Sequence, residues 1–189
     1  MRIALIGFGG VGKAFIELLH DKHEILKSMG LTLILKSVMN SKGGIYNPMG
    51  IDPLRLIEHV HQGGELCEFP DEGFCKETFQ NLIMRRDVDL LIETTPTNNK
   101  TGEPGLTHIS KALERGFHVV TANKGPVLLA YKELCALAAK SQVELCPLLT
   151  QGVLILQEPK FFPLKEFLTG QVIISSAKWK NEIAAMKRH

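Results

Sequence analysis

The chain predicts an α/β protein built on a doubly wound parallel sheet. Strand-like and helical runs alternate from residue 2 onward, and the strand-like runs are almost wholly apolar. A glycine-rich turn follows the first strand and opens the first helix. Near-continuous apolar strands separated by helices mark a parallel sheet covered on both faces. Right-handed crossovers wind the helices onto both faces and leave a ligand crevice at the carboxyl ends of the strands, a Rossmann-type arrangement.

Each element has its own signal. Residues 2–6 (RIALI) predict a buried strand, and a helix is expected over about 11–28. Residues 31–39 (LTLILKSVM) predict a second strand, ending in the polar turn Asn40-Ser41-Lys42-Gly43-Gly44. Helices are expected near 53–61 and 74–86, with a Gly-Gly break at 63–64 between them. VDLLIE (88–93) predicts a strand and 105–115 a helix that stops at Gly116. A strand at 117–121, a helix at 126–140 and a strand at 142–146 complete the pattern. Beyond Cys146 the alternation fades, so the expected organisation is a Rossmann-type domain over 1–146 followed by a short irregular or partly stranded tail over 147–189.

Composition excludes several classes of function. The sequence is 44% hydrophobic and 22% charged with a net charge of +2, so it can bury a core and shows no bulk attraction to nucleic acid or membrane surfaces. Aromatic residues are sparse, which argues against a base-stacking surface. Cys67, Cys75, Cys135 and Cys146 form no C-x-x-C pair, and their spacing fits no zinc or redox motif. His59 and His61 lie two apart and would diverge on a helix, so no metal is expected. The amino terminus opens into a strand without a charged, then long apolar, leader, and no apolar run approaches the roughly 20 residues of a membrane span. The expected setting is the cytoplasm.

Gly7-Phe8-Gly9-Gly10-Val11-Gly12 is a G-x-G-x-x-G between a predicted strand and a predicted helix, the context that makes this pattern specific for a dinucleotide. Gly7 permits the tight turn, Gly9 lets the backbone approach a pyrophosphate, and Gly12 lets helix and strand lie close. Free N–H groups and the dipole at the helix start supply the anion site. A carboxylate ending the second strand would favour NAD by accepting the ribose 2′-OH. Here stand Asn40, Ser41 and Lys42, which tolerate a 2′-phosphate, so NADP is the preferred cofactor, with NAD the alternative.

Two more loops emerge where the crevice is expected: Glu93-Thr94-Thr95-Pro96-Thr97-Asn98-Asn99-Lys100-Thr101-Gly102-Glu103-Pro104-Gly105 and Ala122-Asn123-Lys124-Gly125-Pro126. Their hydroxyl and amide groups suit a ribose, a nicotinamide or a small polar substrate, although either alone could be ordinary turn chemistry. Taken in order with GFGGVG, the segments ETTPTNNKTGEPGLTHI and HVVTANKGP resemble the amino-terminal half of homoserine dehydrogenases, over roughly residues 1–145. That resemblance implies NAD(P)-linked interconversion of L-aspartate 4-semialdehyde and L-homoserine. It implies that Gly7, Phe8, Gly9, Gly10, Val11 and Gly12 hold the pyrophosphate. Thr94, Thr95, Pro96, Thr97 and Asn98 would flank the nicotinamide ribose, with Asn123 and Lys124 facing cofactor and substrate. Reducing an aldehyde creates an alkoxide, and an ammonium such as Lys124 can stabilise that charge and deliver a proton. Glu103 is a candidate for the substrate amine, with an ordinary loop carboxylate the competing role. The family's oligomers leave a homodimer open.

The family continues into a substrate-binding domain with an asparagine-glycine-threonine motif that this reading frame lacks. Regrouping the codons over about residues 161–187 and their immediate neighbours, using the last base of each with the first two of the next, permits ILSIEGILNGTSNYIIRQMEERDSSYEE. That peptide resembles the family's entry into its substrate domain. The tail is therefore expected to be frameshifted, and genomic bases incompatible with the peptide would end this reading. Three functions stay open: a truncated homoserine dehydrogenase, a related dehydrogenase of aspartate or its semialdehyde, and an NAD(P)-binding module without chemistry.

Overall fold

The computed structural model describes residues 1–70 and 77–147, all within one compact unit, Met1–Leu149. The expected tail beyond Pro147, and the start of the helix expected at 74–86, lie outside the described residues.

Six strands form one sheet. β1 (Arg2–Ile6) pairs in parallel with β2 (Ile34–Asn40) on one side and β4 (Leu90–Glu93) on the other. β4 continues to β5 (His118–Thr121), and β5 to β6 (Leu145–Pro147), all parallel. β3 (Gly43–Tyr46) runs antiparallel beside β2, giving the order β3-β2-β1-β4-β5-β6. This is the Rossmann-type sheet the alternation predicts. Strand order reverses between β1 and β4, and the loops leaving these two strands therefore flank the crevice where such sheets bind ligands.

The helices are α1 (Gly10–Asp21), α2 (His23–Ser28), α3 (Pro53–His61), α4 (Phe79–Arg85), α5 (Gly105–Glu114) and α6 (Lys124–Lys140). Asp52 caps α3 by accepting from Leu54 N at 2.9 Å, and Pro53 sits at its first position, where a missing N–H costs nothing. α5 stops one residue before Arg115, and Gly116 follows at φ +81°. The single helix expected over 11–28 is two, interrupted at Lys22 (φ −106°, ψ 12°), where no Pro or Gly marks the break. The polar turn expected at 40–44 is a hairpin: Asn40 pairs with Gly43, and Gly43-Gly44 begin β3 instead of ending the element. The 3-10 turn Leu66–Glu68 was also not signalled. α6 is kinked, because Ala130 leaves helical geometry at φ −142°, ψ 28°.

Burial explains why the strands stay in the sheet. Ala4, Ile6, Met39, Leu91 and Val119 form one cluster with Leu82 and Ile83 of α4, Ile109, Ala112 and Leu113 of α5, and Leu134 and Ala138 of α6. Ile3 and Leu5, pointing the opposite way along β1, are also fully buried. Each such side chain contributes roughly 1.5–3 kcal/mol on leaving water. At the amino ends of the strands, the Arg2 guanidinium meets the Asp89 carboxylate at 2.5 Å and holds it below the ordinary carboxylate range. That pair ties β1 to β4 at the end opposite the crevice.

Candidate functional site

The chain leaves β1 through Gly7, whose N–H bonds to Met39 O at 2.9 Å and whose φ is +97°. A Cβ here would lie 2.4 Å from the Thr94 carbonyl carbon, so only glycine lets the turn lie against the β4 loop. Gly12, the third glycine of the fingerprint, faces the same constraint: its Cβ would lie 2.2 Å from Gly7 O. Thr94 latches the two loops together, donating from Oγ1 to Gly7 O at 2.6 Å and from its N–H to Ile6 O at 2.8 Å.

The outward side of this turn is open. Gly9 and Gly10 are exposed, and a Cβ at either would meet nothing within 4 Å. Gly9 precedes α1, and no side chain caps that helix start. Phe8 is half-buried with the Lys13 ammonium 5.9 Å from its ring centre, and Val11 is exposed. Unspent N–H groups, open space and a nearby cation fit a pyrophosphate.

The other end of the crevice is built on Glu93, the last residue of β4, which is fully buried. Its Oε1 accepts from Thr95 N at 2.9 Å and from Thr95 Oγ1, and its Oε2 accepts from Thr121 Oγ1 at 2.6 Å. The direction of each bond follows from the neighbours. Thr121 Oγ1 also accepts from Asn123 N at 3.0 Å, and Thr95 Oγ1 from Asn123 Nδ2 at 3.3 Å. Each hydroxyl has one proton, so both are spent on Glu93. The Thr95 N–H and the two hydroxyls thus converge as donors on this carboxyl. Asn123, 1% exposed, then caps α6 by accepting from Gly125 N at 3.2 Å. This cap starts the helix at Lys124, two residues before the expected Pro126.

The remaining predicted residues fall into separate places. Lys124 is exposed at the first position of α6, so the described residues do not bury its ammonium. Pro96, Thr97 and Asn98 are exposed on the loop, where Asn98 Oδ1 accepts from Lys100 N and Thr101 N. Glu103 accepts from Thr107 N at 3.2 Å and Thr107 Oγ1 at 2.9 Å, which engages it at the first turn of α5. On the same helix burial pushes His108 below the usual imidazole range, opposed by the charges of Glu93 and Glu103. Asn40, Ser41 and Lys42 sit across the sheet at the end of β2, where Asn40 Oδ1 accepts from Lys42 N at 2.8 Å. Among the described residues no group of His, Cys, Asp and Glu could hold a metal ion. No disulfide forms among them either: Cys67, Cys135 and Cys146 are thiols.

Sequence reasoning missed Glu93 and Thr121 as site residues. A carboxylate ending an apolar strand, two residues before a threonine, was the available signal. It also missed Glu65, which reaches Lys42 from 23 residues away.

Residues 7–146 match the family model described as "Homoserine dehydrogenase, NAD binding domain". The chain belongs to the homoserine dehydrogenase family. It is 36% identical over 143 residues to the homoserine dehydrogenase of Methanocaldococcus jannaschii, covering 76% of this chain and 42% of that protein. It is 35% identical over 144 residues to the NAD(+)-dependent homoserine dehydrogenase of Pseudomonas canavaninivorans, covering 75% and 41%. Among solved structures, a hyperthermophilic archaeal homoserine dehydrogenase mutant in complex with NADPH superposes with a TM-score of 0.67 at 26% identity, over 78% of this chain and 43% of that one. The chain spans about two fifths of the length of these homoserine dehydrogenases. Among the described residues no helix is long and apolar enough to cross a membrane.

Proposed function

We propose that this chain binds NAD(P) across the β1/β4 crevice and serves the interconversion of L-aspartate 4-semialdehyde and L-homoserine. The observation that carries the reading is the turn from Gly7 to Gly12: closed on its inner side by Thr94, open at Gly9 and Gly10, and followed by a helix start without a side-chain cap. In the proposed complex this turn holds the pyrophosphate. Thr95 and Asn123, locked by Glu93, border the nicotinamide ribose, and Pro96, Thr97 and Asn98 form the outer rim. The cofactor supplies hydride exchange at its nicotinamide C4 carbon. Lys124, at the loop end of α6, would stabilise the substrate alkoxide and carry its proton. Glu103 would meet the substrate amine only by sharing oxygens that now accept from Thr107.

A cytoplasmic setting and assembly as a homodimer belong to the same proposal, as does a frameshifted origin for the sequence beyond Pro147, the residue that ends β6. The test is NADPH and NADH binding by nicotinamide fluorescence, followed by L-homoserine-dependent reduction of NADP. Binding with turnover supports the dehydrogenase reading and overturns that of the tail. Binding without turnover supports the second one, a cofactor-binding module, which is favoured by the exposure of Lys124. Where turnover is found, Lys124→Ala is expected to lower it about 100-fold or more while the thermal midpoint stays within about 2 °C. Unchanged turnover in that variant removes Lys124 from the chemistry.

A further inference from the structure

The carboxyl end of β2 is where a dinucleotide-binding sheet distinguishes a ribose 2′-OH from a 2′-phosphate. Between Glu24 and Asp52 this chain has no acidic residue, and β2 itself ends in an amide, Asn40. The fold nevertheless brings a carboxylate to that end. Glu65 Oε1 lies 2.5 Å from Lys42 Nζ, and this contact raises the lysine above its ordinary range.

The two partners are held very differently. Glu65 is the N-cap of the 3-10 turn Leu66–Glu68 in a reciprocal capping box: its side chain accepts from the backbone of Glu68, and its own N–H donates to Glu68 Oε2 at 3.2 Å. Its carbonyl meets His59 Nε2 at 2.8 Å, and the turn is anchored by Leu66 and Phe69, both buried. Lys42 has only the hairpin beneath it and a flexible four-carbon stem. The side chains are 67% and 48% exposed for Lys42 and Glu65, so their mutual attraction is weak and Lys42 can exchange partners at little cost. The carboxylate is therefore the fixed charge at this end of the crevice, and the ammonium is the movable one.

We infer that Glu65 is the specificity-determining residue for the dinucleotide: it stands in for the missing acid of β2 and opposes a 2′-phosphate. Lys42 alone would favour NADP. With Glu65 in place its charge is balanced, and a 2′-phosphate must both draw Lys42 away and sit beside an uncompensated carboxylate. A 2′-OH meets neither obstacle and can donate to Glu65. This inference rests on the dinucleotide site proposed above.

The test titrates the full chain with NADPH and with NADH at constant ionic strength, because exposed charges are screened by salt. Glu65→Gln is expected to shift the NADPH:NADH affinity ratio at least about tenfold toward NADPH. Lys42→Met is expected to shift it about tenfold toward NADH, and the double variant to return it near the starting value. Should Glu65→Gln not fold, Glu65→Asn keeps a favoured N-cap acceptor without the charge and carries the same expectation. A ratio within twofold of the unmodified chain, with both cofactors still bound, overturns the role of Glu65 and leaves the dinucleotide site standing. Failure of the unmodified chain to bind either cofactor overturns the site and this inference together.

Discussion

Replacing Gly7 by alanine is expected to unfold the domain or bring it to the edge of unfolding, while the same change at Gly9 is expected to leave the fold intact and remove the cofactor. At Gly7 two costs combine. A positive φ of +97° is expensive for an L-residue, about 1–3 kcal/mol. The new Cβ would also lie 2.4–2.5 Å from three backbone atoms of Thr94 and Thr95, so strand ends must separate, at about 1–3 kcal/mol more. Together these take a large share of the 5–15 kcal/mol typical of a whole domain. At Gly9 φ is −92°, and the Cβ meets nothing within 4 Å. Stability should then change by no more than about 1 kcal/mol, while the methyl group occupies space over the helix start and weakens NADPH binding at least about tenfold. Urea unfolding and a fluorescence titration of both variants make the comparison. Equal destabilisation by the two changes, or full NADPH affinity in Gly9→Ala, would contradict the assignment of the turn.

The second large effect is expected at Glu93. Glu93→Ala removes the acceptor for one N–H and two hydroxyls in a fully buried position, and each stranded donor costs about 1–3 kcal/mol. A total of roughly 3–9 kcal/mol is expected as a lowered urea midpoint. Glu93→Gln should cost less, because one amide oxygen still accepts. Its NH₂ group, however, confronts the Thr121 hydroxyl, which already accepts from Asn123 N. A cycle of Glu93→Gln with Thr121→Val should therefore be non-additive by about 0.5–3 kcal/mol. Strict additivity would mean that the two residues do not act as one unit.

How much of this could be read from residues alone differs from element to element. β1, β4 and β5 were visible because buried parallel strands are apolar throughout, and α3 because Asp52-Pro53 is a strong helix start. The interruption at Lys22 left no trace, since the chain there turns without Gly or Pro. The β2–β3 hairpin was hidden by Gly43-Gly44, which punctuate a sequence but here enter a strand. The Gly7–Gly12 turn and its Thr94 latch lie in compact motifs, and local spacing was enough to find the loops that carry them. Glu65 was out of reach for the opposite reason: its relation to Lys42 exists only after α3 has carried the chain back across the sheet. Glu93 stands in the sequence as the first residue of a loop. Its importance comes from the direction of hydrogen bonds, which no spacing encodes.

The kink at Ala130 has a mechanical consequence. An unbroken helix of this length would be a rod of about 25 Å, with one end at the loops and the other against the core. Any rotation at the loop end would be levered along it. With a joint at Ala130, the short segment that begins at Lys124 is fastened by the Asn123 cap and by buried Gly125 and Pro126, and the longer one by Leu134 and Ala138. Small adjustments around a bound molecule can be absorbed at the joint without disturbing the packing behind it. By the same reasoning, damage at Leu134 is felt by the foundation and reaches the workplace only weakly.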